Sequence, residues 1–516
     1  MPFRASTMSS TSGKKAGPGK FFRLLFVIIV LCFSSCGVPS SPLPENTGSQ
    51  LTGASEESVS EILEEESAQL PDTFAEEAPV PESASEKTET RKKVDFSPNT
   101  LPVLYLNIDE SQGSIRAMHE DESHTTECHG TMDIVVPDGY AGGYGDSVQE
   151  SRSGIVLDYI RGRGNSTWIG EKKPYKLRFT DKEDLFGMGA NRHYVLLANY
   201  FDKSLVRNRF TFDLSEALGM QYAVQGVSVD LVMNQRYMGS YYLAEHIRIG
   251  SARVDIGSLT EEDDKAPALY GGYLLEMKPW EGVPDSRIVT RRNAEFASAD
   301  PSFNPLEDGG YTSEAQRDYI RAYLQNVEDA IFSEDGKAPD GRHFSELLDL
   351  RSAADYWLIM QISQNQDAYE TPSCYLYKKR FEEDGSEGRL YFGPVWDLDA
   401  AYGSEKSEIR GTEGFDQIHS LWTDKLLEKP VFQALLQERW KEADRILTEA
   451  QAPGGLFDRY EAELSASYNY DAALYPENVR GGIPESRPFN EVLGELRTWL
   501  QKRQRWIGEH LPELID

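Results

Sequence analysis

The stretch GPVWDLDAAYG, Gly393–Gly403, places two aspartates one residue apart at the end of an apolar run that has the composition of a buried strand. Burying an isolated carboxylate is unfavourable unless a partner compensates it. In an extended strand Asp397 and Asp399 would lie on one face, with Leu398 on the other. We therefore expect the pair to face a metal ion, an arginine or water.

The segments before this stretch form one unit with it. FSELLDLRSAADYWLIMQISQ is apolar enough to be a buried helix, and it ends in a polar loop that contains Asn365 and Asp367. The turn-forming sequence EEDGSEG then joins two predicted strands as a hairpin. This order can bring three carboxylates together, and hard divalent cations such as Mg²⁺ take such oxygen ligands and share them with phosphates.

Further upstream the chain is rich in strands. In KPYKLRFT the residues Tyr175, Leu177 and Phe179 alternate with Lys176 and Arg178, which predicts a strand with one apolar face. Lysine is a point charge suited to phosphate. Sheet-rich sequence followed by helical sequence predicts an α+β fold, and carboxylates for a metal with a lysine for phosphate are the parts required for phosphoryl transfer.

Composition limits the class of protein. The 516 residues are 39% apolar and 11% aromatic, enough for two or three ordinary domains or one large one. The formal net charge of -32 argues against nucleic acid as a partner, because phosphate backbones are bound by clustered Lys and Arg. Cys128 and Cys374 have no second ligand pair nearby, so we interpret both as structural and leave open whether they pair.

The first 36 residues predict a lipoprotein signal peptide. A basic start precedes the apolar run Phe21–Phe33, which is short for a membrane span. FSSC followed by Gly37 resembles a bacterial lipobox, which predicts lipidation of Cys36 and a location on the extracytoplasmic face of the cell membrane. A plain signal peptide and a single-pass anchor remain alternatives. Residues 37–97, rich in Pro, Ser and Glu, are expected to be a disordered acidic tether.

Six segments together resemble the CotH family, the spore-coat protein H kinases: IRGRGNSTW, KKPYKLRF, YVLLANYFDKSLVRNRF, NQRYMGSYYLAEHIRI, GGYLLEMK and GPVWDLDAAYG. The resemblance runs from about residue 101 to about residue 405. It implies an atypical protein-kinase-like, two-lobed fold that uses ATP with Mg²⁺ or Mn²⁺ to phosphorylate Ser or Thr of secreted or surface proteins. No GxGxxG loop precedes Lys176, which disfavours an ordinary eukaryotic-type kinase.

The resemblance also implies an arrangement of domains. Residues 98–279 would form an N-terminal lobe around an antiparallel sheet, and residues 343–516 a mostly helical C-terminal lobe with the catalytic loop and the metal-binding hairpin. Between them, 280–342 is expected to be an acidic, loop-rich insertion with one helix at about Ser313 to Phe332. The predicted lipid anchor suggests a cell-surface enzyme rather than a spore-coat component.

Roles for three aspartates follow from the resemblance residue by residue. Asp367 matches the catalytic-loop aspartate, which orients or deprotonates the substrate hydroxyl. Asp397 matches the metal-binding aspartate. Asp399 is either a second metal ligand or a turn cap.

The ATP-binding residues are less narrowly defined. Lys176 resembles the phosphate-contacting lysine, although Lys172 and Lys173 are neighbouring alternatives. Arg163 would contact phosphate or fix a glycine turn, and Trp396 would stack on adenine or belong to the core.

Three glutamates are further candidates. Glu216 is expected to pair with Lys176 or with an arginine. Glu245 and Glu276 end strands and could face the cleft, without a basis for ranking them.

A rival hypothesis is a catalytically inactive surface lipoprotein of the same fold that acts in adhesion or scaffolding. The presence of Asp367, Asp397 and Lys176 favours the enzyme. A metal-dependent hydrolase or nucleotidyltransferase built on the same carboxylates is a minor third hypothesis.

Overall fold

The structure is a computed structural model. It describes residues 95–144, 150–277, 287–299, 313–367, 369, 372–405, 407–415, 418–475 and 487–515. All of them lie in the compact unit Ser83–Asp516. The predicted signal peptide, Cys36 and nearly all of the predicted tether lie outside the described residues. Within the described ranges, no helix combines the length and the apolar character needed to span a bilayer.

The N-terminal part is a closed barrel of seven strands in the order β1-β2-β3-β4-β5-β7-β6. Its strands are β1 Val103–Ile108, β2 Cys128–Val135, β3 Arg152–Gly162, β4 Tyr175–Glu183, β5 Asn191–Leu197, β6 Gly226–Met233 and β7 Arg236–Glu245. All neighbouring pairs are antiparallel except β1 and β6, which pair in parallel from Val103↔Asp230 to Leu106↔Met233. The predicted all-antiparallel sheet was therefore wrong at the pair that closes the barrel.

The interior of the barrel confirms the predicted alternation in β4. Tyr175, Leu177 and Phe179 are fully buried in the core that the barrel strands enclose. Lys176 and Arg178 lie on the outer face of the same strand, where Lys176 pairs in register with Arg161 on β3 and Val195 on β5. The outer face is also covered at this point, because Lys176 is only 7% exposed.

A second, five-stranded sheet has the order β12-β11-β8-β10-β9. It consists of β8 Tyr273–Met277, β9 Ile288–Val289, β10 Glu295–Ser298, β11 Cys374–Lys378 and β12 Leu390–Phe392. The hairpin predicted from EEDGSEG is the β11–β12 pair. Residues 280–342, expected to be a loop-rich insertion, supply two strands of this sheet, and β8 from the preceding segment pairs with β11 from the following one.

Two helices lie among the barrel strands, and the described residues of the C-terminal part are mostly helical. The helices are α1 Ile115–Glu120, α2 Arg207–Ala217, α3 Glu314–Phe332, α4 Phe344–Leu347, α5 Leu350–Ser363, α6 Leu421–Leu427, α7 Pro430–Gln451, α8 Leu456–Leu474 and α9 Phe489–Ile515. Helix α3 begins with a capping box on Ser313, and it matches the predicted helix in the insertion. Every residue of α5 from Ala353 to Ser363 is buried, which confirms the predicted buried helix.

The second core joins the two parts of the molecule. It includes residues of α2, α5, the second sheet and helices α6 to α9, together with outward-facing barrel residues such as Val195 and Ala244. The chain is therefore an α+β protein with a sheet-rich N-terminal region and a helical C-terminal region. Cys128 and Cys374 are both buried, and they do not form a disulfide with each other.

Candidate active site

A cavity of about 650 Å³ lies where the barrel, helix α2, the second sheet and the loops after α5 and β12 meet. Its wall contains residues from at least six separate stretches of the chain. They include Arg163–Thr167 after β3, Leu197–Asn199 after β5, Asn208 on α2, Glu276 on β8, Gln366 and Asp367 after α5, and Trp396, Asp397 and Asp399 after β12. Five of the predicted site residues, namely Arg163, Asp367, Trp396, Asp397 and Asp399, thus line one cavity.

The two aspartates of GPVWDLDAAYG do not lie on a strand. Strand β12 ends at Phe392, and Asp397 adopts a φ of 59°, in the left-handed region. The prediction that an extended strand aligns the two carboxylates was therefore wrong in its geometry. A turn brings both side chains to the cavity instead, while Leu398 between them is fully buried. A non-glycine residue holds this conformation only where its surroundings fix it.

Helix α2 supplies much of that support through Asn208, which is 4% exposed. The side-chain Oδ1 of Asn208 accepts a hydrogen bond from the backbone N–H of Leu398 at 2.9 Å. Its Nδ2 donates to Oδ1 of Asp399 at 2.6 Å. Arg207 Nε also donates to the backbone carbonyl of Ala401 at 3.1 Å. The helix thereby sets the orientation of Asp399.

The loop after α5 provides the third carboxylate. Gln364 ends the helix in a left-handed conformation with a φ of 45°. The fully buried Asn365 follows, and its Nδ2 donates to the backbone carbonyl of Asp397 at 3.2 Å. Its Oδ1 accepts from the N–H of Asp367 at 3.3 Å. One asparagine therefore links the loop that carries Asp367 to the turn that carries Asp397.

Arg163 lies near both the carboxylates and the ring of Trp396. Its guanidinium is 5.6 Å from the ring centroid of Trp396, and Phe212 also stacks on Trp396, with ring centroids 5.7 Å apart. Burial lowers the pKa of Arg163, and the nearby carboxylates of Asp397 and Asp399 oppose that shift. The tryptophan is only 8% exposed. These contacts favour a core role for Trp396 over stacking on adenine.

Lys176 does not line the cavity, but it belongs to a basic region beside it. Burial lowers the pKa of His246, and the charges of Lys176 and Arg163 lower it further. His193, at 6.4 Å from His246 between ring centroids, has its pKa lowered to about 3 by burial and by basic neighbours that include Lys176. We call Arg163, which lines the cavity, together with the neighbouring Lys176 the basic side of the cavity, and Asp367, Asp397 and Asp399 the acidic side.

The two neighbouring lysines have other roles. The Nζ of the fully buried Lys172 lies 2.6 Å from Asp471 Oδ1 and donates to the carbonyl of Ser240. Lys173 donates to the backbone carbonyl of Trp168. Neither of them lines the cavity. Lys176 does not line the cavity either, but its charge and that of Arg163 both act on His246.

The three candidate glutamates have different surroundings, and one of them lines the cavity. Glu276 lines the cavity, and its Oε1 accepts from the N–H of Ser373 at 2.6 Å. Burial raises the pKa of Glu276, and the nearby Asp397 raises it further. Glu245 instead pairs with Arg253 at 2.8 Å. Glu216 is exposed and its side chain bonds to Gln225, rather than to Lys176 or an arginine, the two alternatives expected for it.

Sequence reasoning left Asn199 and Asn208 without a site role and did not rank Glu276. The strand end of GGYLLEMK was a weak signal for Glu276. Nothing in the local pattern of an asparagine indicates that it will face a carboxylate contributed by a segment nearly two hundred residues away.

The carboxylate oxygens in the cavity wall fit a hard divalent cation. Across the part of the chain that the structure describes, no three His, Cys, Asp or Glu side chains converge closely enough to hold a metal by themselves. Mg²⁺ is commonly held by one or two carboxylates, with phosphate and water oxygens completing the shell. Asp397 and Asp399 provide such a pair, and the adjacent basic side is suited to the phosphates.

Comparison with known families agrees with this arrangement. The family model described as CotH kinase protein matches residues 160–507, well over half of the chain. The matched range contains both sides of the cavity. A search of curated proteins found no match. On the family match, the chain belongs to the CotH kinase protein family.

Proposed function

We propose that the chain is an atypical protein kinase that transfers the γ-phosphate of ATP to Ser or Thr of secreted or surface proteins in a metal-dependent reaction. The observation that carries the proposal is the convergence of Asp367, Asp397 and Asp399 on one cavity with Arg163, beside Lys176. In this proposal the barrel takes the part of the N-terminal lobe and the helices take the part of the C-terminal lobe.

Each side of the cavity has its own task. Asp397 and Asp399 would hold Mg²⁺ or Mn²⁺, which supplies charge neutralisation at the phosphates when bound. Lys176 and Arg163 would position and neutralise the phosphate oxygens. Asp367 would orient the acceptor hydroxyl and accept its proton as the hydroxyl oxygen bonds to the γ-phosphorus. The bond from that phosphorus to the bridging oxygen breaks, and ADP leaves with the electron pair.

Location and partners are part of the same proposal. Lipidation at Cys36 would anchor the chain to the extracytoplasmic face of the cell membrane, with the acceptor a secreted or surface protein. The second candidate is a catalytically inactive surface lipoprotein of the same fold that acts in adhesion or scaffolding. The buried aromatic contacts of Trp396 favour this candidate in one respect, since they leave little of that ring for adenine.

Label transfer tests the proposal. The full-length chain is incubated with Mg²⁺ or Mn²⁺ and with ATP labelled at the γ- or the α-phosphate, using the chain itself and casein as acceptors. We expect γ-label on Ser or Thr, reduced about 10³-fold in Asp397→Ala because the electrostatic support of the transferred group is lost. The exposed Asp384→Asn is the control.

Other outcomes would redirect the proposal. Transfer of α-label would indicate AMP transfer, and release of phosphate without labelled protein would indicate a hydrolase. An absence of transfer together with an absence of ATP binding by calorimetry would favour the adhesion or scaffolding protein.

A further inference from the structure

The end of strand β5 places Asn199 in the cavity wall. The residue is 5% exposed and has a φ of 51°, a left-handed conformation that asparagine tolerates better than most residues. The turn that follows fixes this placement, because the N–H of Asp202 donates to the carbonyl of Asn199 at 3.0 Å. The side chain is therefore held by a turn that leads directly into helix α2.

The orientation of the Asn199 amide follows from its partner. Nδ2 donates to the backbone carbonyl of Leu205 at 3.2 Å. A carbonyl only accepts, so the atom that faces Leu205 must be the nitrogen, and Oδ1 must be the other atom of the amide. Among the described residues this buried Oδ1 has no hydrogen-bond partner. A buried acceptor without a donor is destabilising unless something supplies its partner.

The residues that line the cavity with Asn199 indicate what kind of partner its Oδ1 has. Asn208, Asp397 and Asp399 line the same cavity, and Asn208 already donates its amide to Asp399. Carboxylate and amide oxygens together are the ligands that Mg²⁺ and Mn²⁺ take in proteins. A site with two carboxylates has room in its coordination shell for another protein oxygen.

We propose that Oδ1 of Asn199 is a third protein oxygen for the divalent cation, beside Asp397 and Asp399. This inference rests on the proposed function and assigns a ligand to a residue that the family resemblance left without a role. The competing possibility is that Oδ1 accepts a hydrogen bond directly from the nucleotide, and the experiment below separates the two.

The test measures Mn²⁺ affinity of the full-length chain by electron paramagnetic resonance in the presence of a non-hydrolysable ATP analogue. It also measures the Kd of that analogue in EDTA by calorimetry. Asn199→Gly removes the oxygen without strain, since glycine accepts a positive φ. Asn199→Asp keeps an oxygen at the position. Asn326→Ala, on helix α3 and away from the cavity wall, is the matched control.

We expect Asn199→Gly to raise the Kd for Mn²⁺ about 10-fold or more. Asn199→Asp should stay within about threefold of the wild type, on the same ligand argument. The control should leave the Kd for Mn²⁺ unchanged, and all variants should bind the analogue normally in EDTA.

Three results would overturn the inference while leaving the proposed function in place. They are an unchanged Kd for Mn²⁺ in Asn199→Gly, a loss of Mn²⁺ binding in a folded Asn199→Asp, and an equal weakening of nucleotide binding in EDTA. A wild-type chain that binds neither nucleotide nor Mn²⁺ would reject the proposed function and the inference with it.

Discussion

The acidic side of the cavity and Lys176 of the basic side are built on different kinds of backbone. Lys176 is on a regular barrel strand, held by register with Arg161 and Val195. The carboxylates are on irregular loops, where Asp397 adopts a left-handed conformation and Asn208 and Asn365 hold the chain by side-chain hydrogen bonds.

The difference is instructive because a strand positions a side chain by periodicity alone. A loop positions its side chains only when contacts from other elements hold it. We therefore expect the acidic side to be sensitive to the residues that support it, and the basic side to be sensitive mainly to the charged side chains themselves.

The largest effect is expected for Asp367→Asn. If Asp367 accepts the proton of the hydroxyl, its loss should lower kcat about 10³-fold, with little change in the Kd for ATP. Single-turnover kinetics together with calorimetry would measure both quantities. A kcat that stays within threefold of the wild type would remove Asp367 from the proposed mechanism and would leave orientation to the carboxylates of the turn.

The next effect is expected for Asn208→Ala, which leaves Asp399 in place but removes the support that orients it. The concentration of Mg²⁺ needed for half-maximal rate should rise about 10-fold or more. Ser215→Ala is the control, since Ser215 is buried on the same helix and its hydroxyl donates within that helix, to the carbonyl of Phe212. A loss of thermal stability that is equal in the two variants, with no change in the metal requirement, would mean that Asn208 has a purely structural role.

A pair of lysine variants tests the basic side. Lys176→Met should lower kcat/KM for ATP about 10-fold, since a hydrogen bond to a charged group contributes about 1.5–3 kcal/mol. Lys172→Met should instead destabilise the fold by about 3–5 kcal/mol, because Asp471 would be left buried without its partner. Urea denaturation and steady-state kinetics separate the two. The same loss of stability in both variants would place Lys176 in the core rather than at the phosphates.

The smallest effect concerns Glu245 at the end of β7, next to His246 in the chain. Burial raises the pKa of Glu245 from 4.5 to about 7. Its contribution to stability is therefore fully present below pH 4.5 and is lost as the pH rises through 7. The side chain in Glu245→Gln stays neutral at every pH. The Tm of the variant minus that of the wild type should therefore rise by about 2 °C between pH 5 and pH 8. The exposed Glu122→Gln should show no such trend, and a flat difference for Glu245→Gln would contradict the assigned shift.

Several elements could be predicted because their signal is local. The alternation in β4, the buried helix α5, the helix in the insertion and the β11–β12 hairpin each follow from periodicity or turn residues over a few positions. The closure of the barrel could not, because the parallel pairing of β1 with β6 joins strands separated by about 120 residues with no signal in either of them. The second sheet escaped prediction for the same reason, since β8 and β11 are on opposite sides of the 280–342 segment.

By itself, the sequence determined which residue types were available for the chemistry. It placed aspartates after a buried helix and after a hairpin, a lysine on the polar side of a strand, and the motifs that identify the family. Tertiary structure alone decided which of them meet. It brought Arg163 to the carboxylates, left Lys172 with Asp471, separated Glu276 from Glu245 and set Asn199 and Asn208 in the same wall. The physical reason is that the periodicity of a sequence specifies only which face of one helix or strand is buried. A site requires side chains from distant elements to come together. Long-range packing and hydrogen bonding determine that arrangement.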